Sequence, residues 1–339
     1  MLSFLLTSPG CSHVPPDCAK PEIFCIGLVT ETGRVDDRAT NQAAWEGIQQ
    51  AKAEGLADKT ATIETIDSRD YEENMRVFAE AGYDVIVTVG TGSRAATYSI
   101  AGQSPESYFI GADQRPSEDQ TRLPNLVWLV FPEDRLGFLA GALAAAMTQT
   151  NQVGAVSVSE AWPAMKLYGE GFIAGAQYSN ADVKATVTYH NDVGLGESFN
   201  DPAWGTATAN TLVDGGTDVI FGIGGTTGNS ALDTAATRGV FVIGADIDQY
   251  FLLPVAAPRM LTSVLKLIAP GVTDLLRAAK DSQTRKSAFR TGVYIGQIGF
   301  APYHELATLI PEDVKQRMLP LPQALLSGEI RTGIPAIIP

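Results

Sequence analysis

The sequence predicts an α/β protein of two lobes, and three features of the chain carry that prediction. Short apolar runs with the length of buried strands alternate with segments whose apolar residues recur at helical spacing. This alternation starts a second time near residue 153. Each of the two sets also contains a strand that ends in Gly-Ala-Asp, at residues 111–113 and 244–246. Two similar sets in tandem predict two doubly wound parallel-sheet lobes whose loop ends face each other across a cleft.

The first set begins with an apolar strand over residues 23–29, followed by a polar loop and by a helix from about residue 41 to 51. In parallel α/β sheets, ligands lie where such loops leave the carboxyl ends of the strands, so this loop is a candidate ligand loop. Further strands are predicted at residues 62–66, 85–89, 108–111 and 127–131, with helices over residues 70–81, from residue 95 and over residues 136–147.

The second set contains predicted strands at residues 153–158, 184–189, 219–223 and 241–244, with helices over residues 169–178, 203–213 and 230–238. A helix over residues 269–279 is expected to return to the first lobe and a segment over residues 293–300 to the second, which gives a hinge of three crossovers. Two short helices, over residues 306–310 and 312–319, form a C-terminal appendage. The predicted division is a linker over residues 1–21, a first lobe over residues 22–131 and 263–290, and a second lobe over residues 132–262 and 291–339.

Composition limits the classes of partner. A chain of 339 residues is long enough for two domains, and 45% hydrophobic with 18% charged residues is typical of a globular protein. The net charge of −14 argues against a nucleic acid partner and against binding of the body to an anionic membrane surface. The histidines are far apart in sequence and give no spacing typical of a metal site, so we expect neither a metal nor a cofactor.

Motifs of catalysis are missing from the sequence. The glycine-rich strand ends at residues 90–92 and 222–225 match neither the dinucleotide nor the phosphate-loop pattern, and there is no nucleophile elbow. Acids at strand ends instead suit hydrogen bonds from sugar hydroxyls or base amino groups, each worth roughly 1.5 to 3 kcal/mol net. We therefore predict a binding protein and not an enzyme. A nucleoside hydrolase with a paired acid and base is the enzymatic alternative.

The N-terminus offers two interpretations. Residues 1–6 are apolar but lack the basic start of a full signal peptide, and they lead through Thr-Ser-Pro-Gly to Cys11. The pattern resembles a bacterial lipoprotein signal whose start is incomplete, with Cys11 as the candidate lipidation site; an ordinary disordered N-terminus is the alternative. Cys18 is close enough in sequence to Cys11 or Cys25 for a disulfide, although Cys25 also fits a buried small hydrophobic residue of the first strand.

Eight segments, taken in order, resemble the basic membrane protein family of substrate-binding lipoproteins. They read GLVTETGRVDDRATNQAAWEGI, FIGADQ, FPEDRLGFLAGALAA, GFIAGAQ, SFNDPAWG, DVIFGIGGTTG, VFVIGADIDQ and MLTSVLK, and the resemblance extends from about residue 23 to residue 299. The resemblance implies a type I periplasmic-binding-protein fold, a position outside the cytoplasm, lipid-anchored or periplasmic, and delivery of ligand to the permease subunits of an ABC importer. The best-understood branch of the family binds purine nucleosides, with the base between aromatic rings and the ribose held by carboxylates and a lysine.

The resemblance implies ligand contacts in the first lobe. Glu31 stands where the family usually has an aspartate that contacts the base, and Asn41 and Asp113 match family positions. Thr40 stands where the family has an aromatic ring and cannot stack. Because base–aromatic stacking is worth on the order of 1 to 3 kcal/mol per base, this loss would weaken nucleoside binding roughly ten- to a hundredfold. Gly92, in a glycine-rich strand end, completes the predicted first-lobe contacts.

In the second lobe, Asp246 and Lys266 match the acid and the lysine expected near the ribose. Phe199 is the candidate aromatic face, and Gly225 lies in a glycine-rich strand end. Trp162 or Tyr98 is a candidate replacement for the ring missing at Thr40. Trp204 stands where the family often has a lysine and receives no role.

Several of these residues also fit a purely structural role. Lys266 also fits a solvated lysine, Asp113 and Asp246 also fit turn caps, and Phe199 also fits wall packing. The sequence thus predicts a monomeric extracytoplasmic receptor for a nucleoside-like ligand. The open alternatives are a receptor for a different polar ligand and a sensor that passes its bound state to a membrane partner.

Overall fold

Two six-stranded sheets form the framework of the protein, which a computed structural model describes for residues 17–285 and 289–335. The first sheet contains β1 (Cys25–Val29), β2 (Lys59–Ile63), β3 (Val85–Val89), β4 (Tyr108–Ala112), β5 (Leu126–Val130) and β11 (Gly292–Ile295), in the spatial order β2-β1-β3-β4-β5-β11. The second contains β6 (Gln152–Ser157), β7 (Lys184–Tyr189), β8 (Val219–Gly222), β9 (Phe241–Asp246), β10 (Met260–Lys266) and β12 (Ile298–Phe300), in the order β7-β6-β8-β9-β10-β12. All neighbouring strands are parallel except β10 and β12.

Helices cover both faces of each sheet. The first sheet is covered by α1 (Thr40–Ala53), α2 (Tyr71–Glu80), α3 (Arg94–Gln103) and α8 (Ile268–Arg285). The second is covered by α4 (Glu133–Met147), α5 (Pro163–Ser179), α6 (Pro202–Asp214) and α7 (Gly225–Thr237), while α9 (Glu312–Met318) and α10 (Leu321–Ser327) pack against α4. The apolar run of β3 is unbroken because both faces of the strand are buried. Val85 and Val87 pack in one core, and Ile86 packs in the core on the opposite face.

The chain passes between the sheets three times, which confirms the predicted two doubly wound lobes with a three-crossover hinge. The passages lie between β5 and α4, between β10 and α8, and between β11 and β12. Two of them are hydrogen-bonded to each other, because the Leu267 N–H donates to the Gln297 carbonyl at 3.0 Å. The hinge is therefore a set of adjacent segments that connects both lobes.

Strand pairing corrects the predicted division at two short stretches. Strand β10 pairs with β9, so residues 263–266 belong to the second sheet and not to the first lobe. Strand β11 pairs with β5, so residues 292–295 belong to the first sheet and not to the second lobe. The predicted segment over residues 293–300 contains two strands, because the chain passes from the first sheet to the second at Gly296. A Cβ at this position would lie 2.3 Å from the Phe131 ring, so the passage needs a glycine.

The C-terminal appendage also differs from the prediction. The helix expected over residues 306–310 is a 3-10 turn at His304–Leu306, and α10 was not predicted. The prolines at positions 320 and 322 argued against a helix in the sequence, because proline interrupts a helix interior. In the structure they lie at the start of α10, where proline is well tolerated.

Glycines bring α4 and α5 into very close contact. A Cβ on Gly137 would lie 2.0 Å from the Tyr168 carbonyl oxygen, and one on Gly171 would lie 2.0 Å from that of Asp134. Gly141 and Gly175 repeat the arrangement one turn further along each helix. Only a hydrogen in place of a side chain lets the two backbones approach this closely. The contact places the start of α4 beside the middle of α5.

A disulfide joins Cys18 to Cys25 and ties the segment before β1 to the strand. Of the alternatives left open by the sequence, Cys25 is thus a disulfide partner and not a free buried thiol. Cys11 lies outside the described residues. Within the described part of the chain, none of the helices has the length and apolarity needed to cross a membrane.

Candidate ligand site between the lobes

A single buried lysine holds acids from both lobes. Lys266, the last residue of β10, places its Nζ 3.0 and 3.1 Å from the two carboxylate oxygens of Asp113, which follows β4 in the first lobe. The same Nζ lies 3.5 Å from an oxygen of Asp246 and 3.6 Å from one of Glu133. We call Lys266, Asp113, Asp246 and Glu133 the lysine cluster. It brings together three residues predicted from sequence and adds Glu133.

Burial divides the cluster into an inner and an outer part. The side chains of Lys266 and Glu133 are 7% and 6% exposed, whereas those of Asp113 and Asp246 are 20% and 35% exposed. The two aspartates therefore present carboxylate edges to solvent above an inner charge pair. An ionised carboxylate accepts hydrogen bonds only, so these edges suit a ligand that donates from hydroxyl or amino groups.

The charges of the cluster support one another. Burial by itself would lower the pKa of Lys266, but Asp113, Asp246 and Glu133 outweigh it and raise that pKa, so the ammonium stays charged. Burial raises the pKa of the Glu133 carboxyl, and Lys266 and Arg115 oppose that rise. Arg115 donates to Glu133 at 2.5 Å and to the Phe131 carbonyl at 3.3 Å.

Both aspartates occupy the same unusual backbone conformation. Asp113 has φ of 55° and Asp246 has φ of 69°, in the left-handed region that costs a non-glycine residue of order 1 to 3 kcal/mol. In each lobe a glutamine folds back over the preceding glycine, with Gln114 over Gly111 and Gln249 over Gly244. The two Gly-Ala-Asp strand ends thus form equivalent turns that direct one carboxylate from each lobe toward Lys266.

Tyr168 and Glu133 belong to the site but were missed by sequence reasoning. The Tyr168 hydroxyl donates to Asp246, and the Lys266 Nζ lies 6.0 Å from the centre of its ring. Burial, together with Asp246 and Glu133, raises the pKa of Tyr168 well above its usual value, so its hydroxyl remains a donor. Glu133 is the first residue of α4, where an acid is common whether or not it has a functional role. Its position directly after β5, at the same sheet edge as Asp113, was the available signal.

The polar loop after β1 carries Glu31 on a frame built by Asn41. The Asn41 side chain, in a residue that is 2% exposed, accepts from the Glu31 N–H at 2.8 Å and donates to the carbonyls of Glu31 and Arg34 at 3.3 Å. The Gly92 N–H donates to the Glu31 carboxylate at 3.1 Å. Burial raises the pKa of Glu31, and the hydrogen bond from Gly92 opposes that rise. Asn41 therefore holds the loop, and Glu31 is the half-buried functional group that the loop carries.

A cavity of about 590 Å³ separates the first turns of α1 from the second lobe. Its wall contains Asp246 and Lys266 together with Phe251 of the loop after β9. The first lobe contributes Arg38, Ala39, Gln42, Ala43 and Glu46, at and just before the start of α1, to the lining. The volume is in the range of small-molecule sites, and the wall combines both lobes with the hinge.

The second-lobe aromatic residues form a separate pair. The rings of Phe199 and Trp162 meet edge to face at 5.9 Å, and the Trp162 indole N–H donates to the Leu195 carbonyl. A Cβ on Gly225 would lie 2.6 Å from the Phe199 carbonyl, so the glycine admits this loop onto the start of α7. Tyr98 instead bonds through its hydroxyl to Thr121 of the first lobe.

Trp204 has a structural partner. Its ring stacks on His190 at 4.2 Å with an interplanar angle of 6°, and His190 in turn contacts Asp201 at 3.0 Å. Asp201 caps α6 by accepting from the Trp204 N–H. The stack therefore fixes α6 against the end of β7.

A search of family models gives one match that spans most of the chain. The model described as ABC transporter substrate-binding protein, PnrA-like (Bmp), matches residues 26–326.

Curated relatives agree with the family match. A CD4+ T-cell-stimulating antigen of Listeria monocytogenes is 28% identical, over 91% of this chain and 87% of the relative. The ABC transporter nucleoside-binding protein BmpA of Lactococcus lactis is 27% identical, over 76% of this chain and 75% of the relative.

Solved structures agree on the fold. An ABC transporter solute-binding protein from Conexibacter woesei superposes with a TM-score of 0.71 at 21% identity, covering 93% of this chain and all of that one. The family model and this solved structure are of substrate-binding proteins and not of enzymes.

Proposed function

This chain belongs to the Bmp family of PnrA-like ABC transporter substrate-binding proteins, and on that basis we propose that it captures a purine nucleoside between its lobes. Binding would close the hinge over the ligand, and the closed form would deliver it to the permease subunits of an importer. The observation that carries the proposal is the lysine cluster, in which one carboxylate edge from each lobe is held above a buried ammonium.

The cluster suits the vicinal hydroxyls of a ribose. Asp113 and Asp246 would each accept from a hydroxyl, and Lys266 would donate to a sugar oxygen that replaces part of its contact with Asp113. Because the two acids come from different lobes, a ligand that bridges them favours the closed arrangement. Glu31 would accept from the base, and the Phe199–Trp162 pair would offer an aromatic face.

Two further observations support the proposed ligand class and the proposed location outside the cytoplasm. One relative of this chain is described as a nucleoside-binding protein. The Cys18–Cys25 disulfide is of a kind that persists in oxidising compartments, which supports a position outside the cytoplasm. We propose that the anchor is a lipid on Cys11.

A polyol or sugar is the second candidate ligand. The two carboxylates require only hydroxyl donors, and Thr40 brings a hydroxyl rather than a ring to the start of α1. Such a ligand would use the lysine cluster without any need for an aromatic face.

Thermal unfolding in the presence of candidate ligands tests the proposal. The protein is unfolded and refolded to release bound ligand and is then heated with adenosine, guanosine, inosine, uridine, ribose or myo-inositol. A ligand that binds the folded state raises the unfolding temperature. A purine nucleoside should raise it in the wild type and not in Asp246→Asn. A rise with ribose or myo-inositol and none with any nucleoside would favour the second candidate.

A further inference from the structure

The wall of the interlobe cavity contains an exposed aromatic ring to which no role has been assigned. Phe251 is 64% exposed and lies in the same cavity wall as Asp246 and Lys266. It follows Asp246 by five residues on the loop after β9, so its position is tied to that of the carboxylate. The cavity therefore has a polar part and an aromatic part side by side.

The Phe251 ring is held in place by its neighbours. Tyr250 and His304 stack at 4.0 Å with an angle of 16°, and the Phe251 ring meets each of them edge to face at 5.2 Å. This stack is anchored at both ends by hydrogen bonds. His304 contacts Asp248 at 2.8 Å, and the Tyr250 hydroxyl donates to Glu305 at 2.9 Å. These contacts hold the Phe251 ring, and its 64% exposure leaves ring surface available to the cavity.

The first-lobe side of the cavity has small and polar side chains. Around the start of α1, the cavity is lined by the methyl groups of Ala39 and Ala43 and by the polar side chains of Arg38, Gln42 and Glu46. Gln42 donates to Glu46 at 2.8 Å and accepts from the Arg38 N–H at 3.2 Å, so its amide is used along the cavity rim. This side of the cavity therefore offers no aromatic ring to Phe251, and its long side chains are polar.

We propose that Phe251 is a specificity-determining residue that stacks on the planar ring of the bound ligand. This inference rests on the proposed function and adds to it a ring contact in the hinge-side part of the cleft. The ligand class is a heterocyclic base linked to a hydroxyl-bearing sugar, because Phe251 and the Asp246 carboxylate share one cavity with Lys266. Stacking is favoured over packing of Phe251 against α1 in the closed state, since Ala39 and Ala43 are the apolar residues that this segment contributes to the cavity lining and they offer little surface to cover the ring.

Substitutions that separate aromatic character from size test the proposal. Phe251→Leu keeps an apolar side chain without a π face, while Phe251→Tyr and Phe251→Trp keep the face. Tyr178→Leu, at the end of α5 and 57% exposed, is the matched control outside this cavity. Calorimetric titration of each refolded variant with the purine nucleosides measures Kd, and the unfolding temperature without ligand confirms that each variant folds.

We expect Phe251→Leu to weaken purine nucleoside binding roughly 5- to 100-fold, as loss of one base stack does, while the Tyr, Trp and control variants stay within about threefold. Wild-type affinity in Phe251→Leu would overturn the stacking role and leave the proposed function standing. Equal losses in the Leu, Tyr and Trp variants would show a packing role and would also overturn it. If the wild type binds no nucleoside, both this inference and the proposed function fail.

Discussion

Lys266 and Asp113 lie on different lobes, 153 residues apart in sequence, and are joined by two hydrogen bonds of 3.0 and 3.1 Å across the hinge. The pair is supported by Glu133 and Asp246, and only the aspartates present their edges to the cleft. The site is thus part of the connection between the lobes, so changes in the cluster affect stability as well as binding.

Removal of the ammonium should be costly. Lys266→Met leaves three carboxylates without their shared cation, and breaking such a buried pair typically costs about 3 to 5 kcal/mol. Chemical denaturation measures the free energy of unfolding. Lys266→Met combined with Asp113→Asn should recover part of the loss, because it neutralises the acid in closest contact with the missing ammonium, whereas Glu133 keeps its pair with Arg115. Lys315→Met, which removes an exposed helical pair, should change stability by less than about 1 kcal/mol. A Lys266→Met protein as stable as the wild type would contradict the described cluster.

Glu31 should give stability a specific pH dependence. Burial raises the pKa of Glu31 above its usual value of 4.5, so the folded protein binds the proton more tightly than the unfolded chain does. The wild type should therefore lose stability relative to Glu31→Gln as pH rises from 4.5 through the raised pKa. Denaturant titrations across this range measure the difference.

Asp36→Asn provides a control of opposite sign. Hydrogen bonding from Arg34 lowers the pKa of Asp36 below 3.8, so its stabilisation is present above 3.8 and is lost as pH falls through the lowered pKa. The wild type should thus gain stability relative to Asp36→Asn as pH rises toward 3.8. A difference between wild type and Glu31→Gln that does not vary with pH would show that Glu31 is not buried as described.

The close packing of α4 and α5 makes a clear prediction for a single methyl group. Gly137→Ala places a Cβ 2.0 Å from the Tyr168 carbonyl oxygen, and such overpacking should cost about 1 to 3 kcal/mol or more. Gly102→Ala in α3 is the matched helical control, because its Cβ would meet only Leu123 at 3.9 Å. That control should be neutral or stabilising by up to about 1 kcal/mol. Thermal and denaturant unfolding distinguish the two outcomes, and equal stability of the two variants would argue against the helix contact.

The disulfide should stabilise the folded protein. Its short loop predicts a contribution of about 2 to 3 kcal/mol, chiefly by restricting the unfolded chain. Unfolding measured with and without a reducing agent should show this loss in the wild type. The double variant Cys18→Ser, Cys25→Ala should be insensitive to the reductant. Unchanged stability on reduction would show that the bond is not formed.

Local patterns in the sequence predicted the elements that depend on local chemistry. The apolar runs located β3 and β7 to the residue, and the repeated Gly-Ala-Asp located both cluster aspartates. Tyr168 could not be found in this way, because its contact with Asp246 depends on how α5 packs against α4. The crossing between the sheets at Gly296 could not be predicted for a similar reason. Two short strands that belong to different sheets follow each other closely in the sequence and look like one apolar strand. Asn41 was assigned to the ligand, but its amide faces the backbone of its own loop.

Calorimetric titration of the refolded protein with purine nucleosides tests the central claim most directly. We expect saturable binding of at least one of adenosine, guanosine and inosine, with the affinity lost in Asp246→Asn because one carboxylate of the bridging pair is removed. The absence of heat from every nucleoside, together with a non-nucleoside ligand in the mass spectrum of the material released by unfolding, would contradict it.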